Sequence, residues 1–147
     1  MKAVIQRVKR AEVRAEGRSA AIGPGLLVLA GLEAGDTPET CRWAAAKIAS
    51  LRVFEDGNGK MNRSLSDTGG EILAVSQFTL AGSLARGRRP SFDGAMAPGP
   101  ARELFETFLG CLEAAHPRVK RGFFQEAMEV DLVNDGPATF ILDRQDP

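Results

Sequence analysis

The sequence predicts an α+β protein in which residues 1–147 form a single domain, with a mainly antiparallel sheet and two substantial helices. Three observations lead to this prediction. The chain has 147 residues and 44% of them are hydrophobic, which is enough for one buried core. Short apolar and β-branched runs alternate with turns rich in glycine and proline, a pattern typical of strands. Two longer stretches carry apolar residues at helical spacing.

The N-terminal elements begin with strand patterns. Val4, Val8 and Val13 lie in a strand-like opening segment that is broken by charges. The turn at 23–25 (Gly-Pro-Gly) then leads into an apolar run over 26–32, which is typical of a strand buried on both faces.

A helix is predicted next. Thr37 fits the N-cap, Pro38 fits the first helical position, and Thr40 replaces the acid of a capping box. The helix is expected to run to about Ser50. Its inner face is expected to include Trp43, Ala46 and Ile48.

The remaining elements follow from the same patterns. They are strands at 51–54 and 71–77, a hairpin turn at 56–59, a surface loop at 81–100, a helix at 100–115, and closing strands at 119–124, 128–133 and 139–142. A loop as long as 81–100 is usually functional or mobile.

Composition and charge exclude several classes of function. The 19 basic and 19 acidic side chains cancel, so any contact with phosphate must come from a local patch. The first residues form no signal-peptide core, and the longest apolar run, 26–30, is too short to cross a bilayer. We therefore expect a cytoplasmic protein without membrane contact.

The common catalytic signatures are also missing. His116 is the one histidine, and Cys41 and Cys111 lack metal-ligand spacing, so we expect no metal and no cofactor. His116 is expected at the C-terminal end of a helix, and both cysteines as packed thiols. The chain has no Gly-x-Ser-x-Gly and no phosphate-cradling glycine loop.

Three stretches remain as candidates for chemistry, and each has an ordinary structural explanation. Gly136-Pro137 follows Asn134-Asp135 between two apolar runs, and such a run is usually a hairpin turn. The alternative is that Gly136 and Pro137 present their backbone carbonyls in an unusual direction.

The second stretch is Ser76-Gln77-Phe78-Thr79, at the end of the strand at 71–77. Period-two alternation would place Ser76 and Phe78 on one face and Gln77 and Thr79 on the other. Spacing alone favours simple termination of the strand by polar residues. The functional alternative is an oxyanion pocket of backbone N–H groups lined by these side chains.

The third stretch is the dense basic cluster of Arg86, Arg88 and Arg89, followed by Phe92. Charge runs are usually solvated loops. In a chain of zero net charge, this cluster is still the best local candidate for phosphate, with Phe92 as a possible stacking ring.

Read together, these stretches resemble the D-aminoacyl-tRNA deacylase family over nearly the whole chain. The matching segments are 1–8, 22–29, 51–56, 59–62, 76–80, 87–92 and 134–139. The resemblance implies a barrel-like deacylase fold and a homodimer whose active site crosses the subunits. It implies hydrolysis of D-aminoacyl-tRNA, and of glycyl-tRNA mischarged on alanine tRNA, as chiral proofreading in translation.

The resemblance also implies roles for individual residues. The peptide between Gly136 and Pro137 is cis in the family, and its carbonyls reject L side chains in the partner's pocket. Arg7 resembles the arginine that supports this loop, together with Asn134. The terminal adenosine is held near Ser76–Thr79, with the Phe78 N–H at the scissile carbonyl.

Two segments depart from the family pattern. Gln125 and Glu126 stand where the family usually has glycine and alanine, so the pocket rim is expected to differ. Residues 81–85 lack the tyrosine and the Asp-Thr pair that usually precede the basic run.

An aminoacyl ester is already activated, so placing water and stabilising the oxyanion is a sufficient mechanism. We expect the N–H groups near Phe78 and Thr79 to supply most of that stabilisation, with the ribose 2′-OH assisting the water. Thr79 is the one candidate side-chain nucleophile, and no base is evident to activate it. Three alternatives stay open: a non-catalytic tRNA-binding module, a hydrolase of another small ester or amide, and a structural dimer without a site.

Overall fold

A computed structural model describes residues 1–144 of the chain. Its strands are β1 (Lys2–Ala15), β2 (Arg18–Ile22), β3 (Gly25–Gly31), β4 (Phe54–Glu55), β5 (Met61–Arg63), β6 (Glu71–Ser76), β7 (Val119–Arg121) and β8 (Glu129–Asp143). Its helices are α1 (Pro38–Ser50), α2 (Leu65–Thr68) and α3 (Pro98–Ala115), and Phe78–Ala81 forms a short 3₁₀-helix.

The main sheet has the order β2-β1-β3-β6-β7, and β8 pairs with the other edge of β1. β1 is antiparallel to β2, β3 and β8, whereas β3–β6 and β6–β7 are parallel. The two parallel pairs need crossovers, which contain α1 and α3. β2 lies close to β6 and β7, so the sheet curls into a nearly closed barrel. The predicted α+β fold with two substantial helices is confirmed.

The predicted turn at 134–137 is wrong. β8 is one continuous strand, and both of its halves pair with β1. Val8 lies opposite Asn134 and Gln6 opposite Thr139, so four residues of β8 face the single residue Arg7. The Asn-Asp-Gly-Pro run is therefore a wide bulge inside a strand, which turn-forming residues also allow. Its Gly136–Pro137 peptide bond is cis.

The start of α1 is confirmed in detail. Thr37 is the N-cap, its hydroxyl oxygen accepts a bond from the Thr40 N–H at 3.4 Å, and the Thr37 N–H donates to the Thr40 hydroxyl at 3.1 Å. The prediction that Ala46 faces inward is wrong, because Ala46 is exposed and Ala44 and Ala45 are buried instead.

The sequence did not predict α2, because a helix of four residues is too short to show the helical spacing of apolar residues. The predicted hairpin at 56–59 is confirmed by the antiparallel pair β4–β5.

Two hydrophobic clusters hold these elements together. The larger one lies between the sheet and the two long helices and includes Ile48, Phe105 and Phe108. The smaller one, with Leu27 and Leu73, lies on the opposite face of the sheet. The end of β6 is thus fixed from both faces, and the candidate site begins at that end. Over residues 1–144, no helix has the length and apolar character needed to cross a membrane.

Candidate active site

The end of β6 opens onto two clefts that share Ser76, Phe78 and Gln125. The chain leaves β6 at Ser76 and turns at once into the 3₁₀-helix. Gly31, at the end of β3, permits this turn to pack closely, since a β-carbon there would lie 2.7 Å from the Gln77 carbonyl oxygen. The Gln77 N–H donates to the Ala30 carbonyl at 2.8 Å, which ties the turn to the sheet.

The first cleft has a volume of about 380 Å³ and is mainly apolar. Phe78 and Phe92 stand together on one side, with ring centroids 5.4 Å apart. The remaining wall comes from the residues before and within the first turns of α3 and from the loop after β7. The lining residues are Leu32, Ser76, Phe78, Phe92, Ala95, Met96, Ala97, Pro98, Ala101, Phe124 and Gln125. An apolar cleft with a few polar groups at one end suits a planar aromatic base.

The second cleft, of about 400 Å³, is more polar. It is lined by Ser76, Gln77, Phe78, Gln125, Glu126 and Met128. Gln125 has a backbone φ of 52°, the left-handed region in which glycine is favoured over other residues. Glu126 forms an ion pair with Arg18. Of the two residues that depart from the family pattern, Gln125 therefore lines both clefts and Glu126 lines the second.

Gln77 and Thr79 contact each other rather than the first cleft. The Gln77 side-chain amide donates to the Thr79 hydroxyl oxygen at 2.6 Å. An amide N–H donor cannot accept a proton, so this neighbour does not activate Thr79 as a nucleophile. The predicted two-residue alternation holds only as far as Ser76, because the chain becomes helical at Phe78.

The basic cluster lies on an exposed loop whose base is fixed beside the first cleft. Ser83 and Ser91 exchange two backbone hydrogen bonds, of 2.7 and 2.9 Å, and Phe92 follows directly. Arg86, Arg88 and Arg89 lie between these serines, and all three side chains are exposed. The loop thus brings three cations to the Phe92 side of the cleft.

Arg7 and Asn134 hold the bulge of β8. The Arg7 guanidinium is buried, and it donates to the Asp135 carbonyl at 2.9 Å and to the Val53 carbonyl at 2.6 Å. The Asn134 amide donates to the Arg7 carbonyl at 2.9 Å and to the Ala138 carbonyl at 3.2 Å.

Gly136 has no room for a side chain in this bulge, because a β-carbon would lie 2.2 Å from the Asn134 Oδ1. Gly136 and Pro137 are both exposed. Hydrogen bonds from Arg7 and Asn134 to the flanking carbonyls therefore fix the backbone of Gly136 and Pro137, and both residues are accessible to solvent.

Within one chain, the bulge and the clefts lie apart. The bulge of β8 lies opposite Arg7 of β1, and Arg7 lies opposite Leu26 of β3. Leu26 in turn pairs with Ile72 near the start of β6, whereas Ser76 is the last residue of β6. Three strand spacings of ~4.8 Å and the four residues from Ile72 to Ser76 along β6 separate them by roughly 20 Å. The structure therefore does not bring Gly136 and Pro137 to Ser76–Thr79 of the same chain.

The remaining titratable candidates lie away from both clefts. His116 is the C-cap of α3, as predicted, and its Nε2 lies 2.7 Å from the Gly70 carbonyl oxygen. Cys41 is fully buried, which raises the pKa of its thiol to about 12. Among residues 1–144, no three His, Cys, Asp or Glu side chains are grouped as metal ligands.

The family to which the chain belongs follows from its similarity to known proteins. The family described as D-Tyr-tRNA(Tyr) deacylase matches residues 4–143. A D-aminoacyl-tRNA deacylase of Geobacter sp. (strain M21) is 56% identical over 144 residues, covering 97% of both chains. The chain belongs to the D-aminoacyl-tRNA deacylase family. This confirms the family, and with it the class of hydrolase, that the sequence resemblance indicated.

A further relative and two solved structures are also similar to this chain. A D-aminoacyl-tRNA deacylase of Carboxydothermus hydrogenoformans is 51% identical and covers 97% of this chain and 99% of its own. The solved structure of a c-Myc DNA Unwinding Element Binding Protein aligns with a TM-score of 0.93 at 41% identity, over 99% of this chain and 100% of that one. A probable eukaryotic D-amino acid tRNA deacylase aligns with a TM-score of 0.82 at 18% identity, over 97% and 98% of the two chains, which shows the shared fold.

Sequence reasoning missed the wall of the first cleft that α3 contributes. Ala97, Pro98 and Ala101 carry no chemical signal, and Met96 and Phe124 look like core residues. The one available signal was the long loop predicted at 81–100, because the helix that follows this loop had to begin near the end of β6 for the basic cluster to act there.

Proposed function

We propose that this member of the deacylase family hydrolyses the ester that joins a D-amino acid, or glycine, to the 3′ end of tRNA. The observation that carries the proposal is the pair of clefts on either side of Ser76 and Phe78. The apolar cleft receives the terminal adenine, and the polar cleft receives the aminoacyl group. The ester then lies across the turn between β6 and the 3₁₀-helix.

The turn supplies oxyanion stabilisation without a catalytic side chain. The first N–H groups of a 3₁₀-helix have no acceptor within the helix, so those of Phe78 and Thr79 are free to bind an oxyanion. Water attacks the ester carbonyl carbon, and the resulting oxyanion accepts hydrogen bonds from these N–H groups. The bond to the ribose 3′ oxygen then breaks, and that oxygen takes a proton. Donors of this kind are each worth about 3–4 kcal/mol of barrier height.

The attacking water needs little activation because the ester is already labile. The 2′-OH of the terminal ribose lies next to the scissile bond in any aminoacyl-tRNA and assists the water. Thr79, whose hydroxyl is bonded to the Gln77 amide, positions the turn rather than attacking the ester.

Selection against L substrates is assigned to the carbonyls of Gly136 and Pro137. These are main-chain oxygens in a bulge whose flanking carbonyls, of Asp135 and Ala138, accept hydrogen bonds from Arg7 and Asn134, so they cannot rotate away from a side chain that points at them. A barrier of this kind rejects the L enantiomer by a clash and accepts the D enantiomer. It also accepts glycine, which has no side chain to clash.

This assignment requires a homodimer, because the bulge and the clefts of one chain lie apart. Two features support a partner subunit. β8 is an edge strand, and its Ile141 side chain is 78% exposed. Phe78 and Phe92 at the cleft are also 46% and 41% exposed. Exposed apolar groups at both places suit an interface that carries the bulge of one subunit to the clefts of the other.

The exposed Arg86, Arg88 and Arg89 are assigned to the phosphates of the tRNA, and this substrate places the protein in the cytoplasm, where aminoacyl-tRNA is made and used. The test is to incubate the protein with matched D- and L-aminoacyl-tRNA and to measure the release of each amino acid. Release from the D substrate and from glycyl-tRNA, with the L substrate intact, supports the proposal. Binding of tRNA without any release would show a non-catalytic tRNA-binding module instead.

The cross-subunit site is tested by mixing two variants, one that releases no amino acid and one that has lost its selectivity against L substrates. One variant carries a defect in residues 76–79 and the other a defect in the bulge. A mixed dimer regains one intact site if the two halves come from different subunits. No recovery of activity or selectivity after subunit exchange would show that each site is built within one chain.

A further inference from the structure

A third cleft adjoins the first one and contains an arginine that pairs with no carboxylate among residues 1–144. This cleft, of about 310 Å³, shares Phe124 and Gln125 with the first cleft and also holds Arg18, Arg102 and Arg121. We propose that Arg102, held over the ring of Phe124, binds the phosphate that precedes the terminal adenosine of the tRNA 3′ end. The inference rests on the proposed function, because it takes the adenosine to occupy the first cleft.

The charges in the third cleft single out Arg102. Arg18 is paired with Glu126, and Arg121 is paired with Glu106 and Glu113. Among the residues of the 1–144 range, no carboxylate lies within 4.0 Å of the Arg102 guanidinium. An arginine already paired with a carboxylate binds phosphate weakly, because the carboxylate neutralises its charge and occupies its N–H donors. An arginine without such a partner can donate charge-assisted hydrogen bonds to phosphate.

The position of Arg102 is fixed by its stacking. Its guanidinium lies 4.7 Å from the centroid of the Phe124 ring. Phe105, one turn further along α3, contacts the same ring with a centroid distance of 6.0 Å. The Phe124 ring therefore packs against two side chains of α3, those of Arg102 and Phe105. The stacking orients the planar Arg102 guanidinium before any ligand binds.

The stacked pair has the chemistry of a single-stranded nucleic-acid site. Phe124 also lines the first cleft, so a base in that cleft and a phosphate on Arg102 would contact neighbouring surfaces. Arg102 lies in the first turns of α3, near the positive end of the helix dipole, which adds to the attraction for an anion. The basic loop approaches the cleft from the Phe92 side, so Arg102 is a separate contact on the Phe124 side.

The test compares adenosine, which has no phosphate, with the trinucleotide CCA, in which a phosphate precedes the terminal adenosine. Binding of adenosine and of the trinucleotide CCA is measured by calorimetry for the wild type, Arg102→Gln, Arg102→Lys and Arg42→Gln. Arg42 is the matched control, because it is an exposed arginine on α1, paired with Glu39 and absent from the clefts. Neither measurement depends on turnover, so the result stands apart from whether the protein is a deacylase.

We expect Arg102→Gln to weaken CCA binding by about 2- to 5-fold while adenosine binding is unchanged, as for the loss of one exposed ion pair. The slope of log binding constant against log salt should fall by ~0.7 for the lost phosphate contact. Arg102→Lys should restore part of the affinity, and Arg42→Gln should resemble the wild type. Equal weakening of both ligands would show that Arg102 only supports Phe124, and no change in either ligand would also overturn the inference.

The same variants then report on the reaction itself. With D-aminoacyl-tRNA, Arg102→Gln should raise KM and leave kcat within about twofold, because uniform binding is lost. A fall in kcat at unchanged KM would contradict a phosphate-binding role. Failure of the wild type to release amino acid would refute the proposed function while leaving the binding result intact.

Discussion

Replacing Gly136 with alanine should destabilise the protein through one identifiable side chain, Asn134. The added β-carbon would lie 2.2 Å from the Asn134 Oδ1, so the Asn134 side chain must move. Moving it breaks the hydrogen bonds to the Arg7 carbonyl (2.9 Å) and the Ala138 carbonyl (3.2 Å). Two neutral hydrogen bonds at about 0.5–1.5 kcal/mol each give an expected loss of about 1–3 kcal/mol.

The origin of this loss is tested by a double-mutant cycle. Asn134→Ala alone should cost a similar amount, since it removes the same two hydrogen bonds. The double variant, Asn134→Ala with Gly136→Ala, should cost little more than either single variant, because the clash and the bonds disappear together. Urea unfolding of the wild type, the two single variants and the double variant measures the free energy of unfolding of each. Each kcal/mol lost from that free energy corresponds to a fall of roughly 2–4 °C in Tm for a chain of this size.

A control with the same chemical change should move stability the other way. Gly110 lies exposed in α3, and a β-carbon there meets no atom within 4 Å. Gly110→Ala should therefore stabilise the protein by up to about 1 kcal/mol, through helix propensity. If Gly136→Ala proves neutral, or if its effect and that of Asn134→Ala simply add, the packing described for the bulge is wrong.

Three further predictions concern other parts of the molecule. Thr79→Ala should keep deacylation within a few-fold of the wild type in a single-turnover assay, and a loss above a hundredfold would make Thr79 a nucleophile. Arg7→Lys should lower the unfolding free energy by about 1.5–3 kcal/mol, since one ammonium cannot replace the bonds to both carbonyls; an unchanged urea midpoint would refute this. Because the Cys41 pKa is raised from 9.0 to about 12, the folded chain keeps a proton that the unfolded chain loses above pH 9. Stability should therefore fall above pH 9 by up to ~1.4 kcal/mol per pH unit, and Cys41→Ala, but not Cys111→Ala, should remove that share of the slope in urea titrations at pH 8–11.

The fold was predictable where local signals and packing agree. Thr37, Pro38 and Thr40 mark the start of α1 because each satisfies a specific need of a helix N-terminus. The bulge at 134–137 was wrongly predicted as a hairpin turn, because Asn, Asp, Gly and Pro are the residues typical of turns. Only the pairing with β1, a contact between residues more than 120 positions apart, shows that the strand continues. No local pattern contains that information.

The site shows the same division. Ser76 and Phe78 could be proposed from the end of a strand and from the family resemblance, and the structure places both at the clefts. Arg102 could not be proposed, because its importance depends on Phe124 beneath it and on the pairing of Arg18 and Arg121 with glutamates. These are tertiary contacts that a single sequence does not encode in any short segment.

The central claim is that fixed main-chain oxygens at Gly136 and Pro137 sort the two enantiomers. The most direct measurement is the ratio of D to L deacylation rates in the wild type and in a variant with alanine at both positions. The account predicts a high ratio in the wild type and a large fall in the variant, caused by a gain of L hydrolysis while the variant remains folded. An unchanged ratio in a folded variant would contradict it.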